Sequence, residues 1–311
     1  MMKHVLSTIE SKRGTRNKFF LFLVKLKDAT WFISRYLPRL IMVVLLYLLH
    51  VTPTYIAIRC RLYRRHTPKQ YTISLCITCM DRVEHLKKTL RKNIDDNAAY
   101  PHLEFVLLDY NSQDGLQQWV FKHFKEELKS GRLVYYQTKK PKFFERARAK
   151  NIAHLVSTGD IVCNLDADNY TGRDFAFYIN SRSQSNQKII GFCQRSEVYN
   201  STDFGFWGRI FMFKKYFIDL GGYDERFVGW GYEDDNLKFR AIRLGLLPDT
   251  IPFYFLKAIL HDDILREKKI PISVKESLRT NAMVLKQCRE QDIKVPNKTF
   301  DLNTEVYRIM P

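Results

Sequence analysis

Residues 161–168 read Ile161-Val162-Cys163-Asn164-Leu165-Asp166-Ala167-Asp168, directly after the turn Thr158-Gly159-Asp160. A short apolar run bounded by turn residues predicts a buried strand. This one ends in two carboxylates a single residue apart. Displayed at a strand end, such a pair can hold a hard divalent cation between itself and a diphosphate. The same residues also suit a solvated turn; the strand and the glycine turn before them favour binding.

Upstream, the pattern alternates. Residues 72–78 and 103–109 are apolar strands, the second running into the turn Asn111-Ser112-Gln113-Asp114-Gly115. Helices are predicted over 83–93 and from that turn to about Lys129, a strand over 132–137 and a helix over 145–157. On the last helix Ala147, Ala149, Ile152, Ala153 and Val156 form one apolar face. Strands alternating with helices predict a mostly parallel sheet covered on both faces, with ligands beyond the strands' carboxyl ends. Residues 78–82, 109–114 and 166–168 fall at that edge. No internal repeat or low-complexity run is visible.

Downstream, Trp230 stands between Gly229 and Gly231, and Tyr232 leads into Glu233-Asp234-Asp235 and a helical pattern over 236–244. Glycines permit close backbone approach, and an indole offers a flat face to a sugar ring. Acids at a helix start also serve as N-caps, but capping needs one carboxylate, not three. His261 follows an apolar, strand-like run over 251–260. Its imidazole either completes a metal shell begun by Asp168 or is structural.

The whole chain has 311 residues, 45% apolar, enough for one large domain or two small ones with a packed core. Wholesale disorder, a collagen-like chain and a disulfide miniprotein are excluded. The net charge is +18, yet residues 1–70 hold 14 Lys or Arg against two acids, a net of +12. The same stretch contains 19 uncharged residues, 40–58, near the length needed to span a bilayer core. Residues 18–35 suit an interfacial helix with basic groups on anionic lipid. A buried pair of core helices is the alternative. The charge therefore reads as membrane attachment through residues 1–60, and nucleic acid is not an expected partner. Of six cysteines, Cys76 and Cys163 sit in strand-like runs as core thiols, which leans toward a reducing compartment.

Together these motifs resemble the GT-A glycosyltransferases. TISLCITCMDR (72–82), LLDYNSQDG (107–115), ARAKNIA (147–153) and GDIVCNLDADN (159–169) look like the family 2 pattern. GRIFMFKKYFIDLGGYDERFVGWGYEDDNLKFRA (208–241) is similar to the galactosyltransferase C-terminal motif and to polypeptide N-acetylgalactosaminyltransferases. The resemblance implies an α/β GT-A fold: a single Rossmann-like, mostly parallel sheet flanked by helices, here behind an N-terminal helical membrane anchor. Its expected parts are an anchor over 1–70, a catalytic domain over 71–265 (nucleotide-sugar half 71–170, acceptor half 171–265), and a C-terminal helix and tail over 266–311.

The resemblance also implies roles. Thr78 and Arg82 would line the nucleotide pocket, and Asp109 would accept from a uracil N3–H. Arg148 and Lys150 would approach the diphosphate, with Asn151 shaping the pocket. Asp166 would meet the ribose or a metal-bound water. Asp168, with Asp166 and His261, would hold Mn²⁺ or Mg²⁺. Trp230, flanked by Gly229 and Gly231, would form the sugar platform, Glu233 would bind an acceptor hydroxyl, and Asp234 would be the general base. Two departures stand out: Met80 replaces an aromatic that often stacks on the base, and Tyr232 replaces a glycine of the galactosyltransferase motif.

The implied activity is metal-dependent transfer of a hexosyl or N-acetylhexosaminyl group from a nucleotide sugar, a UDP-sugar first, to a glycan or glycolipid hydroxyl, with inversion. The alternatives are a retaining GT-A transferase, in which Asp234 binds acceptor; a nucleotidyltransferase, disfavoured by the glycine-free loop after the first strand; and a non-catalytic basic membrane- or nucleic-acid-binding protein. The expected location is the cytoplasmic face of a bacterial inner membrane, with a Golgi type II enzyme as the alternative. In a lumen, sequons at Asn169, Asn200 and Asn297 would be exposed to glycosylation, and a glycan on Asn169 would obstruct the site.

Overall fold

The computed structural model describes residues 62–63, 69–193, 205–259, 269–292 and 306–310, all within the unit Cys60–Pro311. The expected anchor lies outside the described residues, apart from Leu62, Tyr63, Lys69 and Gln70; His261 lies outside them too. Among the described residues no helix is long and apolar enough to cross a membrane.

The upstream alternation becomes β1 (Ile73–Cys79), α1 (Val83–Asp96), β2 (Leu103–Tyr110), α2 (Leu116–His123), α3 (Lys125–Ser130), β3 (Leu133–Thr138), α4 (Arg146–Val156) and β4 (Ile161–Asn164). There follow β5 (Asn169–Tyr170), α5 (Phe175–Ser185), β6 (Ile189–Phe192), β7 (Ile210–Phe213) and α6 (Lys214–Asp219). The chain continues with α7 (Glu233–Arg243), β8 (Leu247–Thr250), β9 (Lys257–Ala258), α8 (Val274–Glu290) and β10 (Tyr307–Arg308).

Eight strands form one sheet in the order β10-β3-β2-β1-β4-β7-β6-β8. Pairings β1–β2, β1–β4, β2–β3 and β6–β8 are parallel, whereas β3–β10, β4–β7 and β6–β7 are antiparallel. The expectation of a single sheet needs correcting, because β5 and β9 form a separate antiparallel ribbon. The main sheet also runs straight through the expected boundary at residue 170.

Every residue of β1 is buried, and the pleat sends alternate side chains to opposite faces. Ile73, Leu75 and Ile77 meet Leu86 and Leu90 of α1 and Phe175 and Ile179 of α5. Cys76, with Val106 and Leu108, packs on Ala149, Ile152 and Ala153 of α4. The second half of that face, Val162, Ile190 and Met212, is covered by Leu237 and Ala241 of α7. Cys76 and Cys163 are free, buried thiols whose ionisation burial pushes up.

Two local expectations fail for packing reasons. The helix expected to run to about Lys129 breaks at Phe124, whose ring is drawn into the core and leaves its backbone at φ −129°, ψ 34°. The strand expected over 251–260 instead makes a 3₁₀ turn, Phe253–Phe255, and only then β9. Phe255 is fully buried there, 5.2 Å from the Phe175 ring and 5.0 Å from Tyr178.

Candidate active site

Beyond the carboxyl ends of β1 and β4 lies a cavity of about 170 Å³, lined also by the start of α7. It holds many times the roughly 10–15 Å³ that a single water occupies. Thr78, Arg82, Lys150, Asp166, Asp168, Trp230, Gly231, Glu233 and Asp234 all line it, from among the residues singled out in the sequence.

Asp166 and Asp168 leave β4 on alternate residues, each oriented by an asparagine. Asn164 Nδ2 donates to Asp166 Oδ1 at 3.1 Å and to the Gly208 carbonyl at 2.9 Å. Asn169 Nδ2 donates to Asp168 Oδ1 at 2.7 Å and to the Gly205 carbonyl at 2.9 Å. Arg209, fully buried, donates to Asn169 Oδ1 at 2.9 Å and to the Tyr170 and Phe255 carbonyls, fixing the floor of the site. Asn169 is therefore sealed in, and a glycan does not fit on it in the folded chain. The Ile259 N–H donates to the Asp168 carbonyl at 2.9 Å, which ties the β5–β9 ribbon to the same strand end. Among the described residues no three His, Cys, Asp or Glu side chains are grouped to hold a metal ion.

The three acids 233–235 all lie in the first turn of α7, where the helix dipole favours negative charge. The N-cap is Tyr232, left-handed at φ 71°, and its side chain makes no cap, so the first-turn N–H groups are left to the acids, and the Glu233 carboxylate takes its own. Arg240 pins the preceding loop by donating to the Leu220 and Gly222 carbonyls, each at 2.6 Å. Lys150 of α4, only 2% exposed, reaches across to Glu233 Oε1 at 3.0 Å and Asp234 Oδ1 at 2.8 Å. Arg146, one helical turn earlier, lies 3.9 Å from Glu233.

Burial pulls the Lys150 ammonium down, but Asp234, Glu233 and Asp166 together hold it above its ordinary range. Glu233 is pushed up by burial, but Lys150 and Arg146 prevail and hold it below the usual carboxylate range. Asp234 moves the other way: burial lifts it, and Glu233 and Asp166 add to this against the pull of Lys150. Two adjacent acids thus differ in proton affinity because one has the larger share of the cations.

Gly208 brings the two carboxylate pairs together. A Cβ at this position would stand 2.9 Å from Asp234 Oδ2 and 3.1 Å from Asp166 Oδ2. The absence of a side chain is what lets both oxygens face the same space.

Among the described residues, four expected site residues do not line the cavity. Asp109 is 1% exposed and already accepts from the Ser112 N–H (2.7 Å), Tyr135 Oη (2.5 Å) and Gln137 Nε2 (3.1 Å). Asn151 clamps a loop, donating to the Tyr223 carbonyl (2.9 Å) and Glu225 (3.0 Å) and accepting from the Tyr223 N–H (2.7 Å). Arg148 points to Glu225, 4.0 Å away. Gly229, at φ 72°, packs on α8, where a Cβ would fall 2.2 Å from Ser277 Oγ. Glu233 lines the cavity but is itself 3% exposed and bonded to Lys150.

Sequence reasoning missed Arg146, Trp207, Gly208, Lys238 and Lys269, all in the lining. For Arg146 a signal existed: it shares a helix face with Lys150 at i, i+4, whereas Arg148 does not. Its guanidinium lies 6.0 Å from the Trp230 ring and 5.9 Å from Phe144.

No curated protein matches the chain in sequence. Among solved structures, the mannosyltransferase PcManGT from Pyrobaculum calidifontis, in complex with GDP-Man and Mn²⁺, is similar over 79% of this chain and 86% of its own (17% identity, TM-score 0.51). GalNAc-T7 with UDP, GalNAc and Mn²⁺ aligns over 60% of this chain and 43% of its own (13% identity, TM-score 0.49). S. aureus TarS in complex with UDP aligns over 70% and 72% (11% identity, TM-score 0.48). The likeness to the first is one of fold, the GT-A fold. Residues 74–243, from the second residue of β1 to the last of α7, match the family described as glycosyl transferase family 2. The chain belongs to glycosyl transferase family 2 and is a glycosyltransferase of GT-A fold.

Proposed function

We propose that the chain transfers a hexosyl or N-acetylhexosaminyl group from a nucleoside-diphosphate sugar to a hydroxyl of a glycan or glycolipid, inverting the anomeric centre. The observation that carries this is the convergence of Asp234 Oδ2 and Asp166 Oδ2 on the space above Gly208. Lys150 occupies Asp234 Oδ1, so Oδ2 is the oxygen turned to that space. In an in-line displacement the acceptor oxygen bonds to the anomeric carbon as the bond to the diphosphate breaks, and Asp234 takes the hydroxyl proton. Trp230, partly exposed in the lining, offers its face to a sugar ring.

Asp166 and Asp168 fit a Mn²⁺ or Mg²⁺ ion of the kind bound by one or two carboxylates plus substrate phosphates. They are hard oxygen donors, each oriented by an asparagine amide on one oxygen. His261 and the diphosphate would supply further positions. When bound, such an ion neutralises the charge on the departing diphosphate. PcManGT, which shares the fold, was solved with a nucleotide sugar and Mn²⁺.

Residues 1–60, basic and apolar, support attachment to a membrane, on the cytoplasmic face where nucleotide sugars are made. Flotation of the full chain with anionic vesicles tests the attachment. For the reaction, UDP- and GDP-sugars are offered with Mn²⁺ and glycan acceptors, and the product anomer is read by NMR. Release of nucleoside diphosphate with an inverted product is expected. A retained anomer would remove Asp234 from the role of base.

A further inference from the structure

Given the transfer reaction proposed above, we infer that Lys150 is a positioning residue for Asp234 and not a ligand of the donor diphosphate. Lys150 is buried, and an ammonium has three N–H donors and no acceptor. Two of its contacts are spent on α7: Glu233 Oε1 at 3.0 Å and Asp234 Oδ1 at 2.8 Å. The Tyr223 ring covers another side, 5.0 Å from Nζ. What remains for a phosphate is little, although the side chain reaches the cavity wall.

The surroundings make this bridge stiff. Glu233 is itself buried and has Arg146 3.9 Å away, so it serves as a fixed post for the ammonium. The next residue, Asn151, makes three hydrogen bonds to residues 223 and 225, at 2.7 to 3.0 Å. The dipeptide Lys150-Asn151 therefore stitches α4 to both ends of the segment 223–234, which carries Trp230 and the acids. Asp234, half-buried, would otherwise be free to turn either oxygen toward the cavity. Binding Oδ1 to Lys150 selects Oδ2 for the space above Gly208. Removing the ammonium leaves Glu233 and Asp234 side by side without that cation, and both the orientation and the charge balance are lost.

The test compares wild type, Lys150→Met and Lys150→Arg, with turnover of the nucleotide sugar that the wild type uses and with calorimetric binding of UDP and GDP in Mn²⁺. For Lys150→Met, kcat is expected to fall about 100-fold, the scale of a misplaced catalytic group. Nucleotide affinity should stay within about twofold, since a group acting only on the chemical step leaves ground-state binding alone. Lys150→Arg keeps the charge but not its reach, and should recover about tenfold of the loss. Weakened nucleotide binding with kcat preserved at saturation would make Lys150 a phosphate ligand and overturn the inference. Should Lys150→Met not fold, Lys150→Arg decides: kcat reduced with nucleotide affinity intact supports the role, and unchanged kcat refutes it. Absence of wild-type turnover on any UDP- or GDP-sugar overturns the transfer reaction and this role together, whereas wild-type turnover matched by Lys150→Met overturns the role alone.

Discussion

The site is built from two acidic pairs that are held in different ways. Asp166 and Asp168, at the end of β4, are oriented by the amides of Asn164 and Asn169. Glu233 and Asp234, at the start of α7, are bonded to the ammonium of Lys150. An amide orients a carboxylate without changing its charge, whereas an ammonium orients and neutralises at once. The first arrangement suits a pair that is to receive a cation with its ligand. The second suits a base that must stay fixed in a partly dry place, where burial and the neighbouring Glu233 raise its proton affinity and the Lys150 ammonium opposes them. The chemistry of the holder separates the two pairs.

The strongest way to break this comparison is to neutralise one member of the first pair. Asp168→Asn should abolish the Mn²⁺ dependence of nucleotide binding and cost roughly 10³ or more in transfer. Calorimetry of UDP and GDP with and without Mn²⁺ checks it, and an intact metal response would show that the cation is held elsewhere.

Gly208→Ala intrudes on both pairs at once, since the new methyl would meet Asp234 Oδ2 at 2.9 Å and Asp166 Oδ2 at 3.1 Å. We expect a loss of about 100-fold in kcat from displaced groups, accompanied by ~1–3 kcal/mol of overpacking. Steady-state kinetics and chemical denaturation measure the two effects; a fully active, equally stable variant would show that the pairs tolerate separation.

A smaller effect sharpens the difference between the holders. Asn164→Ala removes the amide from Asp166 but no charge, and should weaken metal affinity by roughly 10–100-fold, as loss of an outer-shell partner does. Nucleotide binding at saturating Mn²⁺ should then recover, which the Asp168 variant cannot do.

The smallest effect on activity is predicted behind the second pair. His154 stacks on Phe217 at 4.6 Å, donates from Nδ1 to the Lys150 carbonyl at 2.7 Å, and is driven down to about 3 by burial. The unfolded chain takes up a proton on this ring below about pH 6.5 while the folded chain does not. Stability is therefore unaffected at neutral pH and is lost progressively as pH falls from about 6.5 toward about 3. His154→Phe should flatten this loss by ~2–3 kcal/mol between pH 7 and pH 4.5, seen in urea denaturation at both pH values.

Much of the first half of the fold was legible because its strands are short, apolar and turn-bounded, and the strand-end acids announced the edge where ligands bind. Long-range partnership was not legible. Asp109 reads as an available strand-end acid, yet its register opposite Gln137 places that amide and Tyr135 on its carboxylate. Lys150 reads as a phosphate-binding lysine, and only the packing of α4 on α7 shows the acids 83 and 84 positions away that claim it. Gly229 and Gly231 read as a frame for Trp230; Gly229 instead makes room for Ser277 of α8, a helix 45 residues further on. Aromatic packing of Phe124 and Phe255, which no local pattern reveals, ended one helix early and turned one strand into a 3₁₀ turn.

The central claim is that Asp234 removes the acceptor proton while the β4 pair serves the donor. Asp234→Asn tests it most directly, with transfer and nucleotide binding measured on the same protein. Transfer should fall by about 10²–10⁴, the range of a lost general base, with Mn²⁺-dependent nucleotide binding unchanged. Transfer at the wild-type rate would contradict the claim.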